Sequence, residues 1–380
     1  MLTTSINRNY LLQVITVVCL LLPCFFTASA QHFDLDENRK RVKLHFEHIR
    51  NMVVIQMHIN DRGPFNFILD TGVGVMIITD PTLVDSLNIT SKRTVKIPGL
   101  GDGGDAEAYI TSPLNIYIPG LKSYNVSAAI LKKDHFNLSN FVGLPIHGLL
   151  GYEFFNKLAV QIDFADSTLT VCRPENIKLI KGGTKIPISI EAKKPYINVK
   201  VTMPDGTTSM NKLIIDLGAG HPLSLENVIK EKGLPQKFIA GNLGIGLNGP
   251  INGFISRIKE LDIGGFKIKE PLASLPDGKN NVPLSVKRDG NLGVGVLKRF
   301  KVIFNYSDNA IYLKKARGFG EPFDHDMSGL EYFGTGEDHR PDRLLVGPAS
   351  GPGDTGDRDR GIRAARLQRA ARHRPGHGDR

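Results

Sequence analysis

An eight-residue pattern occurs twice in this chain. Phe67-Ile-Leu-Asp70-Thr-Gly-Val-Gly74 runs into Val75-Met-Ile-Ile78, and Leu213-Ile-Ile-Asp216-Leu-Gly-Ala-Gly220 runs into His221-Pro-Leu-Ser224. Each reads as three apolar residues, Asp, a variable residue, Gly, a variable residue and Gly, and the two aspartates are 146 residues apart. A second pair follows in the same order. Gly148-Leu-Leu-Gly151 precedes an apolar stretch ending in Val160-Gln-Ile-Asp-Phe164, and Gly290-Asn-Leu-Gly293 precedes one ending in Val302-Ile-Phe-Asn-Tyr306, at an offset of 142. Two motifs repeated in one order at nearly one offset mark a duplicated domain. The chain is therefore expected to fold as two related lobes.

Within each copy the local pattern is that of β structure. Val53 to Ile59 and Phe65 to Leu69 are apolar, strand-like runs on either side of the turn signal Asp61-Arg-Gly-Pro64, which together read as a hairpin. Turn pairs recur at Pro98-Gly99, Pro119-Gly120, Gly182-Gly183, Asp205-Gly206 and Gly264-Gly265. Short strands between frequent turns predict a mostly β protein of barrel-like or sandwich lobes. One short helix per lobe is expected, at Glu153 to Leu158 and at Val296 to Phe300.

Taken alone, Asp70 followed by Thr-Gly is an ordinary turn signal. The duplication changes its weight, because two equivalent lobes can deliver Asp70 and Asp216 to one pseudo-symmetric interface. Carboxylates held about 3 Å apart share a proton and titrate as a pair. The ionised member can take a proton from an intervening water while the protonated member hydrogen-bonds a substrate carbonyl. Such a site needs no metal or other cofactor and no covalent intermediate. Gly72 and Gly218 let the backbone approach the carboxylates, and Thr71 can reach across the interface with its hydroxyl.

The motif Ile68-Leu-Asp-Thr-Gly-Val-Gly74, its partner Ile214-Ile-Asp-Leu-Gly-Ala-Gly220 and the glycine box after each resemble the aspartic peptidase superfamily. They are most similar to the two-lobed, retropepsin-like bacterial proteins that often end in a PDZ domain. Across residues ~40 to ~317, the resemblance implies two homologous pepsin- or retropepsin-like double-psi β-barrel lobes, an active-site cleft between them and peptide-bond hydrolysis by Asp70 and Asp216. Thr71, Gly72, Gly74, Leu217, Gly218 and Gly220 would then support the catalytic loops. Glycines Gly101, Gly103 and Gly104 in lobe 1, and Gly246 and Gly249 in lobe 2, fall where the family places its flaps. Surface loops alone would account for those glycines equally well.

The second motif departs from the family pattern at Leu217, where a threonine is usual. If a reciprocal threonine pairing applies, half of it is absent, at about 0.5–1.5 kcal/mol for the missing hydrogen bond. This departure keeps open a second reading, a peptide-binding protein with the peptidase fold and little or no turnover.

The ends of the chain read differently from its middle. Arg8, an apolar run from Leu11 to Phe26 and Ala28-Ser-Ala30 describe a secretory signal peptide, with Gln31 as the first mature residue. The run falls short of the ~20 residues of a membrane span and contains Pro23. Loss of Cys19 and Cys24 with that segment would leave Cys172 alone, without a disulfide partner in its own chain. The expected organisation is a signal peptide at 1–30, lobe 1 at 31–180, lobe 2 at 181–317 and a C-terminal remnant at 318–380.

Ser328-Gly-Leu-Glu-Tyr332 resembles the first strand of a PDZ domain, and Arg343-Leu-Leu-Val-Gly347 offers a second strand. From Arg340 onward the chain consists largely of Arg, Gly, Pro, Asp and Ala, with no Lys. This shift reads either as a basic disordered tail or as a PDZ domain interrupted by a frameshift.

The net charge of +10 does not point to nucleic acid. Residues 340–380 supply +5 and Arg8 supplies +1, leaving +4 for residues 31–339. No basic patch is interleaved with aromatics. His45-Phe-Glu-His48 lacks a metal-binding geometry, since on one strand the two histidines face opposite ways. His221 reads as a turn residue rather than a catalytic one. A glycosidase with paired carboxylates would leave the glycine boxes unexplained and needs a separation of ~5 Å or more. The expectation is a secreted or periplasmic monomer acting on peptides, with an intrachain pseudo-dimer and no stable membrane insertion.

Overall fold

The computed structural model describes residues 31–89, 92–97, 106–134, 136–179, 183–246, 249–277 and 285–324, together with the backbone of 330–333 and 345–348. The protein is mostly β. Its first half contains β1 (His32–Leu35), β2 (Arg41–His45), β3 (Glu47–Ile49), β4 (Met52–Ile59), β5 (Arg62–Leu69), β6 (Met76–Ile78), β7 (Lys92–Ile97), β8 (Ala106–Thr111), β9 (Ile116–Ile118), β10 (Leu121–Tyr124), β11 (Ala128–Leu131), β12 (Gly148–Leu150), β13 (Ala159–Asp163) and β14 (Thr168–Cys172). The second half contains β15 (Thr184–Pro187), β16 (Ser189–Glu191), β17 (Lys194–Thr202), β18 (Thr208–Ile215), β19 (Leu223–Leu225), β20 (Ile239–Gly246), β21 (Gly249–Arg257), β22 (Glu260–Ile263), β23 (Phe266–Lys269), β24 (Leu272–Pro276), β25 (Gly290–Leu292), β26 (Phe300–Asn305) and β27 (Ala310–Lys315).

The duplication is visible strand by strand. One sheet runs β1-β10-β9-β4-β5-β12-β6-β11-β8-β7, with β3 beside β4. The other runs β23-β22-β17-β18-β25-β19-β24-β21-β20, with β16 beside β17. Apart from β1, the two orders correspond throughout. In each, the strand leading into an aspartate (β5 or β18) pairs in parallel with the strand of the glycine box (β12 or β25).

A third sheet, β15-β27-β26-β13-β14-β2, takes three strands from each half. At its centre β13 pairs antiparallel with β26, and Gln161 faces Ile303, its own counterpart at the 142-residue offset. A pseudo-two-fold axis passes through that pair, as an isologous contact requires.

Side-chain burial explains why the runs before the aspartates do not alternate apolar and polar. Phe67 and Leu69 enter the main core, while Ile68 enters a second buried cluster on the opposite face of β5. Met76 and Ile78 divide from Ile77 in the same way. A central strand covered on both faces is apolar throughout. By contrast, β17 has one solvated stretch and alternates from Ile197 to Val201.

The β4–β5 hairpin forms as expected, but its turn is tighter than the Asp61–Pro64 signal implied. Asn60 and Asp61 make the turn, both at positive φ (49° and 62°), and Arg62-Gly-Pro64 already belongs to β5. Asn and Asp tolerate this backbone region, which a two-residue hairpin of this twist requires. The two expected helices lie at Tyr152–Phe155 and Val294–Leu297, slightly ahead of the expected positions, but they are not one per lobe: further short helices form at Leu83–Ser86, Leu138–Val142 and Val228–Lys232.

Residues 318–324, assigned from sequence to the C-terminal remnant, dock on lobe 2. The buried Arg299 donates to the carbonyls of Phe319 (3.2 Å), Pro322 (3.0 Å) and Glu321, and its guanidinium lies 3.6 Å from the Phe323 ring centre. Farther along, the backbones of Leu330–Phe333 and Leu345–Pro348 pair antiparallel, at the two segments read as PDZ-like strands. Residues 349–380 and residues 1–30, the segment read from sequence as a signal peptide, lie outside the described residues. No helix among the described residues is long and apolar enough to cross a membrane.

Candidate active site

Each aspartate-bearing loop is hung between a strand and a glycine box. The Asp70 N–H donates to the Leu150 carbonyl at 2.9 Å, and the Asp216 N–H donates to that of Leu292, also at 2.9 Å. Beyond each aspartate the loop is held again, through Tyr152 N–H to Val73 O (3.2 Å) and Val294 N–H to Ala219 O (2.8 Å). The box glycines make this close approach possible. A Cβ at Gly151 would fall 2.2 Å from Val73 O, and one at Gly293 would fall 2.0 Å from His221 O.

These loops bring Asp70 and Asp216 together. Their carboxyl groups are close enough that the Asp216 charge raises the Asp70 carboxyl. Gly72 N–H donates to Asp70 Oδ1 at 2.7 Å, and Gly218 N–H donates to Asp216 Oδ1 at 2.9 Å. Both glycines lie against the pair. A Cβ at Gly72 would sit 2.9 Å from an oxygen of each carboxylate, and a Cβ at Gly218 would sit 2.3 Å from Asp70 Oδ2.

The interface is tied by Thr71, which is 1% exposed. Its hydroxyl donates to the Ile215 carbonyl at 2.6 Å and accepts the Leu217 N–H at 3.0 Å. Leu217 contributes no such bond, and its fully buried side chain joins the main core instead. Gly74 and Gly220 receive the hairpin turns of the opposite lobe. The Ala192-Lys193 turn of β16–β17 packs on Gly74, and the Arg50-Asn51 turn of β3–β4 packs on Gly220, where Asn51 Nδ2 donates to the Gly220 carbonyl at 2.9 Å. All four turn residues have positive φ, a conformation uncommon for Arg, Ala and Lys.

Electrostatically the two aspartates differ. Burial, and then the neighbouring Asp216 charge, hold the Asp70 carboxyl well above the usual carboxylate range, against the Gly72 N–H and the Lys194 charge. Asp216 accepts a further hydrogen bond, from Asn291 Nδ2 to Oδ2 at 3.2 Å. Asn291 Oδ1 in turn lies 2.6 Å from His221 Nε2. Lys194, at the start of β17, feels both aspartates, and burial pulls its ammonium below the ordinary lysine value. In lobe 1 the fully buried Glu153 is pushed up to about 7 by burial, against the opposing pull of its own and the Met76 backbone N–H and of the Lys193 charge.

The remaining sequence candidates are dispersed. Gly246 and Gly249 flank the tip of the β20–β21 hairpin, the topological counterpart of β7–β8. Gly101, Gly103 and Gly104 fall between β7 and β8, outside the described residues. His45 ends β2 and His48 lies on β3, in two different sheets, so the single-strand geometry assumed for them does not occur. Asn291 was not singled out from sequence. Its signal was available, because it is the one polar residue in a box whose lobe-1 copy reads Gly-Leu-Leu-Gly.

A protein-family model described as aspartyl protease matches residues 55–154, a span that includes Asp70 and the first glycine box. The matched segment is similar to that family, which supports a peptidase-type function in general. No curated protein matches the chain.

Proposed function

We propose that this protein is an aspartic-type endopeptidase in which Asp70 and Asp216 activate one water between them for attack on a peptide carbonyl. The observation that carries this reading is the meeting of two carboxyl groups from equivalent positions of a duplicated fold, close enough that a single Cβ at Gly72 would lie 2.9 Å from an oxygen of each. With one proton shared, the ionised member removes a proton from water and the protonated member hydrogen-bonds the carbonyl oxygen as it gains charge. The proton then passes to the leaving amine, which completes hydrolysis without a cofactor.

Thr71 favours turnover over the peptide-binding reading raised by Leu217. One hydroxyl already serves a buried acceptor and a buried donor across the interface, so the dyad is braced from one side. The β20–β21 hairpin and the β7–β8 hairpin are assigned as the lids over an extended substrate. The site of action is outside the cytoplasm, in the periplasm or medium, as the signal-like N-terminus suggests, and one chain suffices as the working unit.

The test is cleavage of a mixed peptide library by the purified protein from acidic to neutral pH, with and without a peptide carrying a tetrahedral hydroxyl in place of the scissile carbonyl. Cleavage blocked by that analogue is expected. Analogue binding without cleavage at any pH would favour the binding protein, and neither binding nor cleavage would remove the reading.

A further inference from the structure

Asp70 and Asp216 are related by the duplication, yet their surroundings are not. At the lobe-1 positions equivalent to His221 and Asn291 stand Val75 and Leu149, side chains that offer no hydrogen. Lobe 2 therefore adds a polar chain that lobe 1 lacks, from His221 Nε2 to Asn291 Oδ1 at 2.6 Å and from Asn291 Nδ2 to Asp216 Oδ2 at 3.2 Å. Asn291 is 7% exposed, so this chain is shielded from competing water.

We propose that His221 and Asn291 are positioning residues that hold Asp216 as the ionised member of the pair and leave the shared proton on Asp70. This inference rests on the peptidase reading for its catalytic meaning, but not for its physical content.

The argument follows from donor and acceptor identities. A side-chain amide has one accepting end and one donating end. With Oδ1 turned to His221, only Nδ2 can face Asp216, and an N–H donor favours a carboxylate over a carboxylic acid. If the amide turned over, Oδ1 would meet the Asp216 oxygen and would require Asp216 to carry the proton. His221 prevents this in the tautomer, or the protonated form, that presents Nε2–H to Oδ1. Protonation of His221 leaves Nε2–H in place, so the orientation survives at acidic pH.

Asp216 thus receives two donors, Gly218 N–H on Oδ1 and Asn291 on Oδ2, whereas Asp70 receives the Gly72 N–H and is only 8% exposed. Other charges do not reverse the asymmetry. Lys194 faces both aspartates, and Arg288, which acts on Lys194, is committed to Glu226 at 2.7 Å. His221 itself faces Asp216 and Glu226.

A purely structural role is the competing explanation, because the His221 carbonyl also accepts the Gly295 N–H at 3.3 Å. The test therefore reads proton position as well as stability. In the native protein, carboxyl carbon resonances of Asp70 and Asp216 are followed from acidic to alkaline pH, which requires no turnover. Asp216 is expected to ionise first.

Asn291→Leu, which copies lobe 1, should raise the first ionisation of the pair by about one pH unit, the effect of one hydrogen bond to a charged group. The acidic limb of kcat/KM should move with it. His221→Val should shift both in the same direction, and His221→Gln, which keeps a donor for Oδ1, should restore the native profile. Asp70 ionising first in the native protein would overturn the proposal. So would folded variants whose pH profiles superpose on the native one and differ only in height. An absence of cleavage, with Asp216 still ionising first, would refute the peptidase reading and leave this one standing.

Discussion

The hydroxyl of Thr71 stands 3.0 Å from the backbone nitrogen of Leu217 and accepts its N–H across the interface between the two halves of the repeat. The same oxygen donates to Ile215 O at 2.6 Å. Replacing Thr71 with Val keeps the shape but leaves a buried N–H and a buried carbonyl unpaired, at about 1–3 kcal/mol each. Chemical denaturation should show Thr71→Val destabilised by roughly 2–6 kcal/mol and Thr71→Ser by much less, since serine keeps the hydroxyl. Equal losses for both would mean that the methyl packing, not the hydroxyl, matters here.

Gly218 is where the dyad is most sensitive to added volume. A Cβ there would sit 2.3 Å from Asp70 Oδ2, whereas one at Gly74 would meet only Ala192 O and the Lys193 side chain at 3.2 Å. Misplacement of a catalytic group by about 1 Å can cost on the order of 100-fold in rate. Gly218→Ala is expected to lose at least that much in kcat while remaining folded, and Gly74→Ala to retain most activity. Similar kcat values for the two variants would show that the glycine is not shaping the site.

Glu153 predicts how stability depends on pH. Its carboxyl is pushed from 4.5 to about 7 by burial, so the folded state keeps the proton that the unfolded state releases. Stability is therefore complete below the unfolded value and is lost as pH rises toward and through about 7, by on the order of 3 kcal/mol in full. The raised Asp70 carboxyl acts with the same sign. Urea midpoints should fall from about pH 5 to about pH 8, and Glu153→Gln should flatten that fall. An unchanged slope in the variant would assign the pH dependence to other groups.

Arg299 predicts the behaviour of the segment after lobe 2. Its guanidinium serves carbonyls between Phe319 and Pro322 and lies 3.6 Å from the Phe323 ring centre. Arg299→Met should release residues 318–324 to proteolysis and cost about 2–4 kcal/mol through lost charge-assisted bonds and ring contact. Lysine should rescue poorly, because one ammonium cannot reproduce the planar fork. Unaltered protease resistance in Arg299→Met would mean that Phe323 burial and the Arg257 hydrogen bond to the Phe323 carbonyl, at 2.6 Å, secure the segment without it.

Much of this molecule was legible in the sequence because duplication writes structure twice. The Asp70 and Asp216 motifs and the two glycine boxes located the loops, and the 142-residue offset makes Gln161 and Ile303 counterparts; that these two pair across β13–β26 is added by the structure. What escaped was set by contacts far apart in sequence. The Arg50-Asn51 and Ala192-Lys193 turns carry little local signal, and each acquires its role only by packing on the other lobe. The docking of residues 318–324 depends on Arg299, whose partners are backbone carbonyls and so leave no trace in residue type. The link from Asn291 to Asp216 spans 75 residues and shows only as a polar residue breaking an apolar repeat.

The most direct test of the shared dyad compares Asp70→Asn and Asp216→Asn with the native protein in peptide hydrolysis at the native pH optimum, with folding checked by circular dichroism. If one water is activated between the two carboxyl groups, each substitution alone should reduce kcat by at least about 1,000-fold, and the double variant should be little worse than either single one. Folded single variants that each keep substantial activity, or losses that multiply in the double variant, would mean that the two aspartates do not work as one unit.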